Sequence, residues 1–414
     1  MKKKVEPSVI RGKLPAPPSK SYAQRAIAVA ALATGRSEIL YPGNSDDVMA
    51  AVRVVRQLGA GVRNTGSKLI ISGGISVPGE TLNCGEAGLS IRMFSSIAAL
   101  FDSPVTLLGE GSLLKRPMTV VEDSLRAMGV ECSTNKGYLP LTVRGPVRGG
   151  QASVDGSLSS QVLTGMLIAA PYADKDVTIN VENLKSKPYI DITLEVMHSF
   201  GVTAENRDYE QFYISSGQEY MPVNYIVEGD WSGAAFLLVA GAIAGEVTLE
   251  NLEATSPQAD RAIITALERA GAEIAFKDRQ VFISKAPLSA FEFDATDCPD
   301  LFPPLVALAA YCDGKTRIKG AKRLIHKESN RAVTLEEEFG RLGVEVKTDG
   351  DIMTVTGGNC SGGTVSSRGD HRIAMACAVA AVAAKGVVEI EDAGAVAKSY
   401  PAFFDDLKKL TGSQ

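Results

Sequence analysis

Nine cations stand where a helix gains nothing from them. Lys20, Arg25, Arg92, Arg116, Lys187, Lys327, Arg331, Arg372 and Lys398 lie at or near the starts of predicted helices. A helix N-terminus carries unsatisfied N–H groups and roughly half a positive charge, so a cation there costs stability unless an anion joins it. The same end, dressed with Ser or Gly, is a ready-made site for phosphate or carboxylate. Such residues are present: Ser19-Lys20-Ser21, Gly85-Glu86-Ala87-Gly88, Ser159-Ser160-Gln161 and Asp230-Trp231-Ser232-Gly233. Pro299-Asp300 and Asp370-His371-Arg372 open two further helices. Capping accounts for Ser232 or Asp46, but it does not account for the cations. The residue types point to a ligand that is small and multiply anionic.

These motifs recur with a period. Taking Lys20, Gly88, Ser160, Ser232, Asp300 and Arg372 as anchors, the steps are 68 to 72 residues. Second-helix starts at Asp46, Arg116, Lys187, Gln258, Lys327 and Lys398 step by 69 to 71. Helix-ending glycines fall at Gly59, Gly129, Gly201, Gly271, Gly343 and Gly412, at steps of 69 to 72. Gly suits the position just past a helix because it adopts the left-handed conformation without a Cβ penalty. A fixed period means a repeated architecture. Each unit has room for a β-α-β-α-β-β sequence, and six units suggest three per domain. In the first unit the pattern predicts helices over 22–33 and 47–58 and a strand over 69–72. Regular repetition would bring basic helix starts to one end of each domain, so an acidic chain could still hold a strongly positive site.

Composition agrees with an ordinary globular protein. The chain has 414 residues, 45% apolar and 22% charged, with formal net charge −5. That length suits about two domains, and the negative balance argues against nucleic acid or an anionic membrane as partner. The six cysteines form no C-x-x-C pair, so they are expected as reduced thiols in a cytoplasmic protein. No apolar run follows Met1-Lys2-Lys3-Lys4, so no signal peptide is expected. The longest uncharged stretch, 156–173, is too polar to span a membrane. Asp313-Gly314-Lys315-Thr316 looks like the end of a P-loop, but its required first glycine falls at Ala309. A nucleotide-dependent kinase is therefore disfavoured.

Pro18-Ser19-Lys20-Ser21, with Arg25 after it, resembles the opening of the enolpyruvyl transferases. Later segments narrow the resemblance to the 5-enolpyruvylshikimate-3-phosphate synthase family. They are Lys115-Arg116-Pro117, Ser159-Ser160-Gln161, Ser186-Lys187-Pro188-Tyr189-Ile190-Asp191, Lys327-Glu328-Ser329, Asp370-His371-Arg372-Ile373-Ala374-Met375 and Lys398-Ser399-Tyr400-Pro401. The resemblance covers nearly the whole chain. It implies an α/β fold of two inside-out globular domains, each of three βαβαββ repeats. Residues 13–226 would carry repeats 1–3 and mainly the shikimate 3-phosphate side. Residues 1–12 with 227–414 would carry repeats 4–6, the catalytic carboxylates and part of the phosphoenolpyruvate site.

The implied reaction moves the enolpyruvyl group of phosphoenolpyruvate to the 5-hydroxyl of shikimate 3-phosphate, with no metal and no cofactor. By the same resemblance Asp300 is the base, Glu328 the acid, and Lys20 is shared by both substrates. Shikimate 3-phosphate would meet Lys20, Ser21, Arg25, Ser159, Ser160, Gln161, Ser186, Tyr189, Asp300 and Lys327. Phosphoenolpyruvate would meet Lys20, Gly88, Arg116, Gln161, Arg331, Arg372 and Lys398. A monomer is expected.

Three positions depart from the family pattern. Glu86 replaces an amide and Leu89 a hydroxyl in the Gly85–Leu89 segment, and Asn330 stands where Asp is usual before Arg331. Glu86 is expected to pair with an arginine, and Asn330 leaves the support of Arg331 open. The sister enzyme that uses a UDP-amino sugar is the nearest alternative. Its loop cysteine has no counterpart at Cys84 or Cys132.

Overall fold

The computed structural model describes residues 1–75, 80–157, 160–325, 327–358 and 360–412. Among these, twelve α-helices follow the predicted pairing. The first three repeats hold α1 (Lys20–Leu32) and α2 (Asp46–Gln57), α3 (Gly88–Ala98) and α4 (Thr119–Ala127), α5 (Gln161–Ala169) and α6 (Pro188–Ser199). The last three hold α7 (Trp231–Ala244) and α8 (Ile263–Ala270), α9 (Phe302–Ala309) and α10 (Arg331–Arg341), α11 (His371–Ala381) and α12 (Phe403–Leu410). The glycines expected after the second helices all take left-handed φ values, from 66° at Gly412 to 94° at Gly59.

The first helix of each repeat is apolar on nearly every face and is therefore a core helix. Every residue of α11 is buried, every residue of α7 but Ser232, and every residue of α3 but Arg92. The second helices are amphipathic; α12 buries only Phe403, Leu407 and Leu410. Sheets cover this helical interior with one face and meet solvent with the other. Strand Val177–Glu182 alternates accordingly, with Val177, Ile179 and Val181 inward. Each fully buried Leu or Phe, such as Phe236 and Leu237, contributes about 1.5–3 kcal/mol.

Each repeat has its own sheet. In the second, Thr81–Asn83 runs parallel to Val105–Leu108, which pairs antiparallel with Tyr138–Arg144, and that strand with Glu131–Asn135. A parallel pair needs a crossover helix, which α3 supplies. In the first and fourth repeats the leading strand is exchanged. Ile10–Pro15, just before α1, pairs with Gly245–Glu250 after α7. Asn224–Ile226, just before α7, pairs with Arg36–Leu40 after α1. The sixth sheet is completed by Lys3–Val5, antiparallel to Val388–Glu391.

Two compact units result, one of residues 1–19 with 228–414 and one of residues 20–227. The first boundary falls later than residue 12 because Ile10–Pro15 hydrogen-bonds along its length to Gly245–Glu250, and Ser19 N–H donates to Glu228 O. No helix among the described residues is long and apolar enough to cross a membrane.

Candidate functional site

In the unit of residues 1–19 and 228–414, charged groups from three helix starts meet. Asp300 lies in the turn that opens α9, Glu328 just before α10, Arg331 at its first position, and Arg372 at the start of α11. Arg331 is 1% exposed and links three carboxylates. Its Nη1 donates to Asp300 Oδ1 at 2.7 Å, Nη2 to Glu328 Oε2 at 2.5 Å, and Nε to Asp370 Oδ2 at 2.8 Å. Arg372 Nη2 donates to Asp300 Oδ2 at 3.0 Å, Lys327 Nζ lies 3.4 Å from Asp300 Oδ1, and Lys398 Nζ 3.9 Å from Glu328 Oε1. Asp370 also accepts from the Arg372 backbone N–H at 3.0 Å, capping α11. The support of Arg331, left open by Asn330, therefore comes from Asp370.

Burial alone would raise the Asp300 carboxyl. Arg372, Lys327 and Arg331 outweigh it, against Glu328, and hold Asp300 well below the usual carboxylate range. Burial lowers Lys327, with Asp300 pulling the other way. Burial likewise opposes the charge on Arg331, yet Asp370, Glu328 and Asp300 carry it above the ordinary arginine value. This unit thus holds three carboxylates on one guanidinium, with Lys327, Arg372 and Lys398 beside two of them.

In the unit of residues 20–227, Lys20 opens α1 and its Nζ lies 2.5 Å from Asp47 Oδ2 in the first turn of α2. Arg25 is 1% exposed. It donates to Ser21 O, Thr193 Oγ1, Thr164 Oγ1 and Tyr189 O, at 2.9 to 3.2 Å. These partners are neutral, and burial lowers the Arg25 pKa to about 10. A guanidinium so placed favours an anionic ligand. Ser160 and Ser186 are buried. Ser186 takes φ of 59°, an uncommon conformation for a residue with a Cβ, and Tyr189 N–H donates to its carbonyl. Such outliers cluster at functional positions.

A second group in this unit gathers around Gly88. A Cβ there would lie 2.9 Å from Arg116 Nη1, 3.2 Å from Arg92 Nη1 and 3.7 Å from Gln161 Oε1. Arg92 Nη1 donates to Gly88 O and Gln161 Oε1, both at 3.1 Å. Glu86, expected to meet an arginine, accepts from Ser112 N–H at 3.2 Å and Ser112 Oγ at 3.1 Å. It thereby caps the 3-10 turn Gly111–Lys115 that leads into Arg116. Leu89 is buried in the core of this unit, which explains an apolar side chain there.

In one unit Asp300, Lys327, Glu328, Arg331, Arg372 and Lys398 are linked by ion pairs; in the other, Ser21, Arg25 and Tyr189 form one group and Gly88, Arg116 and Gln161 another. Ser159 lies outside the described residues. Asp47, Asp260, Asp370 and Arg92 were not expected as partners. Asp370 stood inside the Asp-His-Arg motif, and Asp47 and Asp260 stood beside the periodic anchors Asp46 and Gln258. The side chains they meet, Lys20, Ser232, Arg331 and Gln161, are distant in sequence and gave no local signal. All six cysteines are buried and free, and burial pushes Cys84 up to about 12, an inert thiol.

Fold and site define an α/β protein of repeated βαβαββ units in which buried carboxylates and arginines are paired at helix starts. The family model described as EPSP synthase (3-phosphoshikimate 1-carboxyvinyltransferase) matches residues 5–407. The chain is 39% identical to the 3-phosphoshikimate 1-carboxyvinyltransferase of Methanocorpusculum labreanum, over 99% of this chain and 98% of that relative. It is 37% identical to that of Clostridium perfringens, again over 99% and 98%. An EPSP synthase structure from Acinetobacter baumannii superposes with TM-score 0.84 at 26% identity, covering 99% of this chain and 97% of that one. The chain belongs to the EPSP synthase family. Its reaction is transfer of the enolpyruvyl group of phosphoenolpyruvate to shikimate 3-phosphate, with release of phosphate, in the shikimate pathway.

Proposed function

We propose that Asp300 and Glu328 divide the proton transfers of this reaction. Asp300 takes the proton of the shikimate 5-hydroxyl as its oxygen adds to C2 of phosphoenolpyruvate, and Glu328 protonates C3. Glu328 then takes a C3 proton back as phosphate leaves the tetrahedral intermediate. The observation that carries this reading is the single buried guanidinium of Arg331 bound to both carboxylates. It ties the two carboxylates to one side chain.

Without substrate Asp300 is a weak base, because Arg372, Lys327 and Arg331 stabilise its anion. Substrate phosphate and carboxylate compete for those cations, and their loss raises the basicity of Asp300. The trigger is thus the arrival of anions.

Shikimate 3-phosphate is the ligand proposed for Lys20, Ser21, Arg25, Ser159, Ser160, Gln161, Ser186, Tyr189, Asp300 and Lys327. Phosphoenolpyruvate is the ligand proposed for Lys20, Gly88, Arg116, Gln161, Arg331, Arg372 and Lys398. Arginine suits the second set because its planar fork meets carboxylate and phosphate in bidentate fashion. The protein is proposed to work as a cytoplasmic monomer, with residues 20–227 mainly serving shikimate 3-phosphate and the other unit supplying the carboxylates. A coupled phosphate-release assay with both substrates tests the roles. Asp300→Asn and Glu328→Gln should each lose turnover, and wild-type turnover in either variant overturns its assignment.

A further inference from the structure

The repeats place the starts of their two helices side by side, and the paired residues stand 27 or 28 positions apart. In the first repeat the pair is Lys20 with Asp47, and in the fifth it is Lys327 with Asp300. In the fourth repeat the pair is Ser232 with Asp260. Here a hydroxyl occupies the place of the cation, so the carboxylate has no ion-pair partner within its own repeat.

Asp260 is 1% exposed, in the turn before α8. Ser232 Oγ donates to its Oδ2, and its Oδ1 is closed to solvent with no hydrogen-bond partner among the described residues. The charges that act on it come from the starts of three other helices. Asp300 precedes α9, Arg372 lies in α11, and Asp230 caps α7; the Cys298 thiol is also near. A buried carboxylate with one unsatisfied oxygen is costly as an anion and much less so as an acid.

We propose that Asp260 is a positioning residue for this reaction, a neutral acid that accepts the Ser232 hydroxyl hydrogen bond and so leaves the charge of Arg372 to Asp300 and the anionic substrate. The inference rests on the reading of Asp300 and Arg372 given above. Burial, then Asp300, push the Asp260 carboxyl up to about 7, against Arg372 and the Ser232 bond, with Asp230 adding to the rise. Above that pH a second anion competes for Arg372, and the site loses positive charge where substrate needs it.

The test is kcat/KM for each substrate from about pH 5.5 to 9, a quantity that reports ionisations of the unliganded form. Wild type should lose kcat/KM for phosphoenolpyruvate with a limb near pH 7. Asp260→Asn, an uncharged isostere, should keep the pH 6 value within about twofold and lose that limb. Ser232→Ala removes a bond that lowers the Asp260 pKa, so its limb should move to higher pH; this variant carries the test if Asp260→Asn does not fold. The same limb in Asp260→Asn, or an unmoved limb in Ser232→Ala, overturns the proposal. Carboxyl 13C titration of the substrate-free protein separates this inference from the catalytic assignment. A carboxyl titrating near pH 7 and absent from Asp260→Asn supports it whatever Asp300→Asn does to turnover, and no such carboxyl sinks it.

Discussion

Arg331 Nε donates to Asp370 Oδ2 at 2.8 Å, and both side chains are sealed from solvent at 1% and 0% exposure. The pair joins the first residue of one helix to the cap of another, and the arginine then presents its remaining donors to Asp300 and Glu328. Through Arg331 this bond ties both carboxylates to the cap of α11.

Asp370→Asn keeps a competent cap but removes the charge, leaving Arg331 short of a partner. Breaking a buried ion pair on one side costs roughly 3–5 kcal/mol. Urea denaturation should show a loss of that order, and a loss under about 1 kcal/mol would mean that Glu328 and Asp300 suffice to hold the guanidinium.

Asp300→Asn should lower kcat by about 10²–10⁴-fold, the range for a missing general base. Its pH dependence has a definite sign. The folded Asp300 pKa is lowered, so its stabilising contribution is present above the unfolded value of about 4 and is lost as pH falls through the folded value. The stability gap between wild type and Asp300→Asn should therefore narrow below about pH 4, and a gap that widens there contradicts the ion-pair account.

Arg25→Gln removes the buried guanidinium whose described partners are all neutral. Shikimate 3-phosphate at a hundred times its Kd should stabilise the wild type by about 2.7 kcal/mol. At the same concentration the variant should gain much less in thermal unfolding, and an equal gain would remove Arg25 from the phosphate site.

Gly88→Ala places a methyl 2.9 Å from Arg116 Nη1 and 3.2 Å from Arg92 Nη1. These guanidinium ends must shift. The KM for phosphoenolpyruvate should rise about tenfold, a 1.4 kcal/mol change, while calorimetric binding of shikimate 3-phosphate stays as it was. Equal weakening of both ligands would point to general damage of α3.

Glu86→Asn shortens the side chain that caps Gly111–Lys115 through Ser112. Loosening the approach to Arg116 should raise the KM for phosphoenolpyruvate severalfold. Stability should change by less than about 1 kcal/mol, because the group is exposed. An unchanged KM would leave Glu86 as a surface contact only.

The sequence by itself determined the period, the helix pairs and the glycine ends, because each is written in local chemistry. An apolar helix such as α7 announces its burial, and Gly129 announces the turn that follows α4. The helices predicted over 22–33 and 47–58 form at Lys20–Leu32 and Asp46–Gln57. The motif residues were legible for the same reason, since Lys20, Asp300 and Arg372 each stand at a helix start. Tertiary structure alone decided who meets whom. Nothing near Arg331 in the chain identifies Asp370 as its anchor, and nothing near Arg25 identifies Thr164 and Thr193 as its acceptors. The pairing of the exchanged strands Ile10–Pro15 and Asn224–Ile226 is a nonlocal choice that alternation of side chains leaves open; the placing of residues 1–12 with 227–414 came from the family resemblance. The charge state proposed for Asp260 rests on burial beside Asp300, a property of packing that no spacing of residues can state.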